Sequence, residues 1–167
     1  MKRIILMVCA IMISIMGTAF AYSDESNADA QKMLDSIKGI RYNVEAGVNF
    51  QDYSAVVSKA IIEYKKYNEK YPDSDKDVSL VNKLHGVISD YADARTVWND
   101  AIYNNGNVVF RSDLANLIKL HPALINKIPK TDNDHVCVGY EDVLQALWSV
   151  AADDEKSLTD TPSTVTP

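Results

Sequence analysis

The clearest pattern of hydrophobic and polar positions lies in the middle of the chain. Seven positions follow an alternating spacing of three and four residues: Val81, Leu84, Ile88, Tyr91, Arg95, Trp98 and Ile102. Such a heptad keeps one seam of a helix against a neighbouring helix. The pattern therefore predicts a long helix that begins at a capping box of Ser74 and Asp77 and ends at about Asn104.

Two more helices are predicted before this one. The apolar face of the first is formed by Met33, Ile37, Ile40 and Val44, and Gly47 follows as its terminator. The second lies between a cap at Asn49 and a stop at Pro72. It carries an aromatic-rich stripe formed by Phe50, Tyr53, Val57, Ala60, Tyr64, Tyr67 and Tyr71. The short connections between these helices favour antiparallel neighbours.

The rest of the chain contains shorter patterns. Residues 108–110 are predicted to be extended, and a short helix follows Ser112 and ends at Pro122. Residues 129–139 are predicted to form a loop. A last helix carries Tyr140, Val143, Leu144, Leu147, Trp148 and Ala151. The sequence thus predicts an all-α fold, an antiparallel up-down helical bundle of four to five helices.

The first 21 residues are typical of a secretory signal peptide. Lys2 and Arg3 precede an almost uninterrupted apolar run from Ile4 to Met16, and Ala19-Phe20-Ala21 has small residues where a signal peptidase cuts. We therefore expect an exported protein, in the periplasm or outside the cell. The alternative is an uncleaved anchor over residues 4–22, a length close to that of a bilayer span.

Composition divides the remaining chain into three parts. Residues 22–27 are polar and are predicted to be a flexible segment, and residues 28–156 are predicted to form a single helical-bundle domain. Residues 157–167 are rich in Thr, Ser and Pro and are predicted to be a disordered tail. The chain without its signal has 146 residues. A domain of about 150 residues buries enough surface to fold without a disulfide.

The charge of the chain narrows the classes of partner. The net charge is −6, and loss of Lys2 and Arg3 with the signal makes it −8. An acidic surface repels nucleic acid and anionic lipid, so we expect no nucleic-acid partner and no membrane association after cleavage. Since Cys9 lies in the signal, Cys137 remains alone and no disulfide can form within one processed chain.

Arg95 is the unusual residue of the long helix, because an unpaired buried charge is costly. Its expected partner is a carboxylate on another helix, and the candidates are Glu45, Glu63 and Glu141. A functional interpretation makes it part of an anion-binding pocket formed by Tyr64, Tyr91, Arg95 and Trp98. The structural alternative is that its stem lines the edge of the core while its guanidinium reaches water.

A second candidate site lies in the loop before the last helix. This loop contains Asp132, Asp134, His135 and Cys137, whose side chains can bind zinc or copper. Their spacing matches no closed structural zinc site. The metal site is therefore an alternative to a polar loop without a ligand.

Catalysis has less support in the sequence. There is no G-x-S-x-G, no H-E-x-x-H and no Gly-rich phosphate loop. Asp90, Asp93 and Asp100 lie outside the heptad seam and are predicted to be solvated.

The sequence therefore predicts an exported, non-enzymatic bundle without a cofactor, which binds a small ligand or an envelope protein. Two alternatives are a metal-binding or metal-buffering envelope protein using residues 132–137 and a structural subunit of an envelope assembly. The oligomeric state is left open.

Overall fold

The computed structural model describes residues 24–103, 108–128 and 137–159. Its helices are α1 (Asp24–Glu45), α2 (Phe50–Lys70), α3 (Val78–Tyr103), α4 (Arg111–Leu120) and α5 (Tyr140–Thr159). Two short strands, β1 (Val108–Phe110) and β2 (Cys137–Gly139), and two 3-10 turns, Asp73–Asp75 and Pro122–Asn126, complete the described elements. The predicted signal peptide, residues 1–21, lies outside the described residues.

Four of the helices form the bundle, and the fourth helix along the chain lies beside it. Helix α3 packs most extensively against α5, while α2 packs against both α1 and α3. Helices that are neighbours in the bundle are antiparallel. For example, Lys70 at the end of α2 bonds to Asp29 near the start of α1. The predicted all-α, antiparallel up-down bundle is confirmed.

The first turn of α1 is anchored to the end of α2. Ser26, which is buried, shares a hydrogen bond of 2.8 Å with the hydroxyl of Tyr67, and Lys70 Nζ donates to Glu25 at 2.8 Å and to Asp29 at 2.7 Å. Residues 24–27 are therefore helical, where the sequence predicted a flexible segment. These polar residues are ordered because they form hydrogen bonds with side chains of α2. The bonded positions are 41 or more residues apart along the chain.

The connection between α1 and α2 is as tight as predicted. Gly47 has a φ of 82°, which is the left-handed conformation that glycine adopts at helix ends. The side chain of Asn49 accepts a hydrogen bond of 3.0 Å from the backbone N–H of Asp52. This is the predicted N-cap of α2.

The residue that caps the start of α3 differs from the predicted one. Residues 73–75 form a 3-10 turn, and the backbone N–H of Leu80 donates to the Asp77 carboxylate at 3.0 Å. Asp77, rather than Ser74, therefore caps the helix. Ser74 bonds to its neighbour Asp75 instead, at 2.8 Å.

The heptad seam of α3 is buried in the first half of the helix and turns away from the core in the second half. Its buried members are Val81, Leu84, Ile88 and Tyr91. Arg95 and Trp98 are half-buried, Ile102 is 44% exposed, and Ala94 and Val97 are the buried residues of this half. A straight α-helix drifts by about 20° per heptad from a 3.5-residue repeat, which explains the shift.

The short elements form a layer beside the C-terminal half of α3. Strands β1 and β2 are antiparallel, with Val109 opposite Val138. The predicted extended segment 108–110 is confirmed, and residues 137–139 are a strand where a loop was predicted. Residues 129–136 lie outside the described residues. The strand pair leads into α4 on one side and into α5 on the other.

The end of α5 lies within the segment that the sequence predicted to be a tail. The helix continues to Thr159, and residues 160–167 are outside the described part of the chain. Among the described helices, none is both long enough and apolar enough to cross a bilayer.

Candidate ligand-binding site

The four residues predicted to form an anion-binding pocket lie along α2 and α3. Tyr91 is buried in the core, Tyr64 packs its ring on His85 at 4.9 Å, and Trp98 packs among other aromatic rings. The described cavities touch one of the four, Trp98. Their binding role stays a prediction.

Trp98 belongs to an aromatic cluster at one end of the bundle. Its ring centre lies 5.5–5.6 Å from those of Phe50, Tyr53 and Trp148. Trp148 Nε1 donates to the Tyr53 hydroxyl at 2.9 Å, and that hydroxyl donates to the Tyr91 carbonyl at 2.8 Å. Burial raises the pKa of Tyr53 far above its usual value. These bonds join α2, α3 and α5 and indicate a structural cluster.

Arg95 has a neutral partner in place of the predicted carboxylate. Its guanidinium donates to the Ser58 hydroxyl at 2.9 Å, and no ion pair involves it among the residues that the structure describes. The arginine that holds a buried acid is Arg41, which lies on α1. Its Nε contacts both carboxylate oxygens of Glu155 at 3.1 and 3.2 Å.

The predicted metal site is described at one of its four residues. Asp132, Asp134 and His135 lie outside the described residues, and Cys137 is a half-buried free thiol in β2. Within the described segments, no three His, Cys, Asp or Glu side chains converge in a geometry that could hold a metal. The metal site therefore stays a prediction.

A second polar cluster, which the sequence did not predict, centres on His121. Its Nδ1 contacts the Asp90 carboxylate, and its Nε2 lies 2.6 Å from Asp93 Oδ2. Hydrogen bonds with Asp90 and then with Asp93 raise the pKa of His121 to about 9. The ring is therefore protonated at neutral pH, and it ties the segment after α4 to α3.

Asp90 was predicted to be solvated, but it is 3% exposed. It lies on a second apolar face of α3, whose other members are Val87, Ala94, Val97 and Ala101. The helical spacing of this face is visible in the sequence, and the aspartate among its apolar residues is the signal that indicates a buried polar contact. The partner, His121, lies 31 residues further along the chain and has no comparable signal.

Two cavities lie on either side of this cluster. We call the first the histidine cleft: it has a volume of about 500 Å³ and is lined by Asp90, Asp93, His121 and Asp154, with Leu120 and Val150 among its apolar walls. Burial, and then the nearby charge of Asp90, raise the pKa of Asp154. Carboxylates are therefore crowded in this cleft.

We call the second cavity the ribbon cleft, because β1 forms one of its walls. It has a volume of about 450 Å³ and lies between the C-terminal half of α3, β1 and α4. Its apolar lining is formed by Val97, Ala101, Val108, Val109, Phe110, Leu117 and Leu120. Phe110 is 58% and Leu120 is 67% exposed, so two of the apolar side chains that line the cleft are largely open to solvent.

The charged side chains that line the ribbon cleft are acidic. Asp93 and Asp100 lie two helical turns apart on α3, and Asp113 lies in the first turn of α4. Among the described side chains that line the cleft there is no lysine, arginine or histidine. An apolar cavity with carboxylates at its edge can hold a ligand by burial and select it by charge.

No known protein family, curated protein or solved structure matches this chain.

Proposed function

We propose that this protein is an exported, non-enzymatic binding protein whose ligand occupies the ribbon cleft. The observation that carries the proposal is an open apolar cavity between the helical bundle and the layer formed by β1 and α4. Its volume of about 450 Å³ is within the range of small-molecule sites, about 300–1,000 Å³.

The exposed apolar side chains support binding more than packing. Val108, Phe110 and Leu120 are each more than a third exposed and line the same cleft. Contiguous exposed apolar surface on a folded protein marks a binding site more often than scattered residues do. A ligand in the cleft would cover all three side chains.

The proposal of binding without chemistry is supported by the state of His121. Both of its ring nitrogens are held by carboxylates, one on Asp90 and one on Asp93. A general base needs a free nitrogen within reach of the substrate. Export is proposed from the signal-like pattern of residues 1–21.

The experiment is a titration of the processed chain, residues 22–167, with the neutral apolar dye Nile red. We expect saturable binding with an increase in fluorescence. Ala101 lines the cleft, so Ala101→Trp should fill the cavity and reduce the affinity at least about tenfold, the loss of about 1.4 kcal/mol of contact.

The matched control is Ala55→Trp, which places the same side chain on an exposed position of α2. It should bind the dye as the wild type does, and circular dichroism should show the same helix content in all three proteins. Absence of saturable binding, or equal binding by Ala101→Trp, would reject the ribbon cleft as the site.

A further inference from the structure

The ribbon cleft and the histidine cleft are neighbours along one groove. Both are lined by Asp93 and by Leu120. The shared wall places the exposed side chain of Leu120 between an apolar cavity and a cavity rich in carboxylates. A ligand with an apolar chain and a polar head could therefore occupy both.

Asp90, which lines the histidine cleft, has a carboxylate oxygen without a hydrogen-bond partner among the described residues. Asp90 is 3% exposed, and its Oδ1 contacts His121. Its Oδ2 is buried and accepts no hydrogen bond from any residue that the structure describes. A buried acceptor left unsatisfied is destabilising, and more so when it is charged, so a donor at this position would be stabilising.

The charges around this oxygen favour a cationic donor. The charged residues that line the cleft are three aspartates, Asp90, Asp93 and Asp154, and one protonated histidine, His121. Burial first, and then the nearby charge of Asp90, raise the pKa of Asp154. Carboxylates near a shared space are relieved by an added positive charge.

The walls favour an organic cation over a metal ion. Leu120, Pro122, Ala123 and Val150 line the same cavity, and the described residues hold no set of ligands with metal geometry. A hydrated metal would leave these apolar atoms uncovered, whereas an alkylammonium would place carbon against them. Its three N–H groups suit separate oxygens, as those of lysine do.

We infer that the ligand is an amphiphilic ammonium, with its charged head at Asp90 and Asp154 in the histidine cleft and its apolar chain along Leu120 in the ribbon cleft. This inference rests on the proposed function, since it names the class of ligand for the same groove. Asp90 and Val97 are seven residues apart on α3, about 10 Å along the axis. An alkyl chain of moderate length spans this distance.

The experiment compares octylammonium with 1-octanol by isothermal titration calorimetry at pH 7, where an alkylamine is protonated as a lysine side chain is. We expect octylammonium to bind at least about tenfold more tightly than octanol, because hydrogen bonds between charged groups are stronger than those between neutral groups. Asp154→Asn should reduce this preference to less than about threefold. A ratio of this size is within the range over which the contribution of a single neutral hydrogen bond varies.

Asp153→Asn is the matched control, because Asp153 is adjacent in sequence and pairs with Lys127 at 2.7 Å, outside the cleft. It should keep the preference for octylammonium. Asp90→Asn is a second test of the head site, with folding checked by circular dichroism.

Equal affinity for octanol, a preference that survives Asp154→Asn, or displacement of octylammonium by millimolar Mg²⁺ would overturn the inference. These results differ from failure of the proposed function, which is absence of Nile red binding. If octylammonium binds and the dye does not, the head site stands and the ribbon cleft is rejected.

Discussion

At the scale of single residues, the bridge formed by His121 makes stability depend on pH. Asp90 and Asp93 raise the pKa of His121 from 6.5 to about 9. A group whose pKa is higher in the folded state contributes stability that is complete below the unfolded value and is lost as pH rises through the folded value. The window is therefore pH 6.5 to 9, and the contribution is up to about 3 kcal/mol.

We expect His121→Gln to lower the free energy of unfolding by up to about 3 kcal/mol more at pH 6 than at pH 10. Glutamine cannot carry the charge that pairs with both carboxylates. Urea denaturation at the two pH values measures the effect. Lysine and tyrosine residues titrate in both proteins, so the difference between variant and wild type isolates His121.

The exposed His85 provides the control for this residue. His85→Gln should change stability by a similar amount at both pH values, because this histidine contacts the Tyr64 ring and no carboxylate among the described residues. An equal loss at pH 6 and pH 10 for His121→Gln would show that the imidazole contributes by shape and not by charge.

The sequence predicted side-chain burial better than side-chain partners. Periodicity placed Tyr53 and Tyr67 on the aromatic-rich stripe of α2 and Tyr91 on the heptad seam of α3, and all three are buried. It could not identify Ser58 as the partner of Arg95 or His121 as the partner of Asp90, because each partner lies 31 or more residues away. Spacing within a helix reports the face of a side chain, and the contact across the bundle depends on the packing of the helices.

At the scale of elements, the turn between α1 and α2 can be tested with two glycines. Gly47 has a φ of 82°, so Gly47→Ala should lower the free energy of unfolding by about 1–2 kcal/mol because an L side chain is strained there. Gly39 lies inside α1, and a methyl group added to it meets no atom within 4 Å. Gly39→Ala should therefore raise the free energy of unfolding by about 0.5–1 kcal/mol.

Thermal unfolding of the two variants and the wild type measures the two changes in stability, which we expect to have opposite signs. The substitution is the same in both, so the backbone conformation is the variable that differs. A stabilising Gly47→Ala would mean that the turn relaxes to another conformation without loss. A destabilising Gly39→Ala would mean that this face of α1 is packed more closely than the structure shows.

Helix ends were predicted well where the signal was local and less well where it was not. Gly47 and Asn49 act through their own backbone and nearest neighbours, and both were identified. The first turn of α1 was missed because Glu25 and Asp29 are ordered by Lys70 at the end of α2. Of the groove, the sequence indicated the extended segment and the short helix, but not the cavity between them.

At the scale of the whole molecule, a buried ion pair joins the first helix to the last. Glu155 is 2% exposed, and Arg41 donates both to it and to Glu45, at 3.1 Å. Burial would lower the pKa of Arg41, but the opposing effect of Glu155 and Glu45 is greater and raises it. Helices α1 and α5 are thus held together by a largely buried charged contact.

We expect Arg41→Met to lower the free energy of unfolding by about 3 kcal/mol, because it leaves the buried Glu155 carboxylate without its partner. The deficit should become smaller as pH falls toward 5. An unpaired buried carboxylate has a raised pKa, so the folded variant binds a proton that the unfolded chain does not yet hold. Urea denaturation at pH 5 and pH 7 measures both effects.

The double variant Arg41→Met with Glu155→Leu distinguishes the cost of the orphaned charge from the value of the pair. It should recover most of the lost stability, because an apolar pair of similar volume can replace a buried ion pair. Lys127→Met is the surface control: the Lys127–Asp153 pair is 36% and 53% exposed, and breaking it should cost less than about 1 kcal/mol. If the double variant were no more stable than Arg41→Met, the contact would contribute through the geometry of the arginine stem, and the bundle would depend on the packing of α1 against α5 more than on its charge.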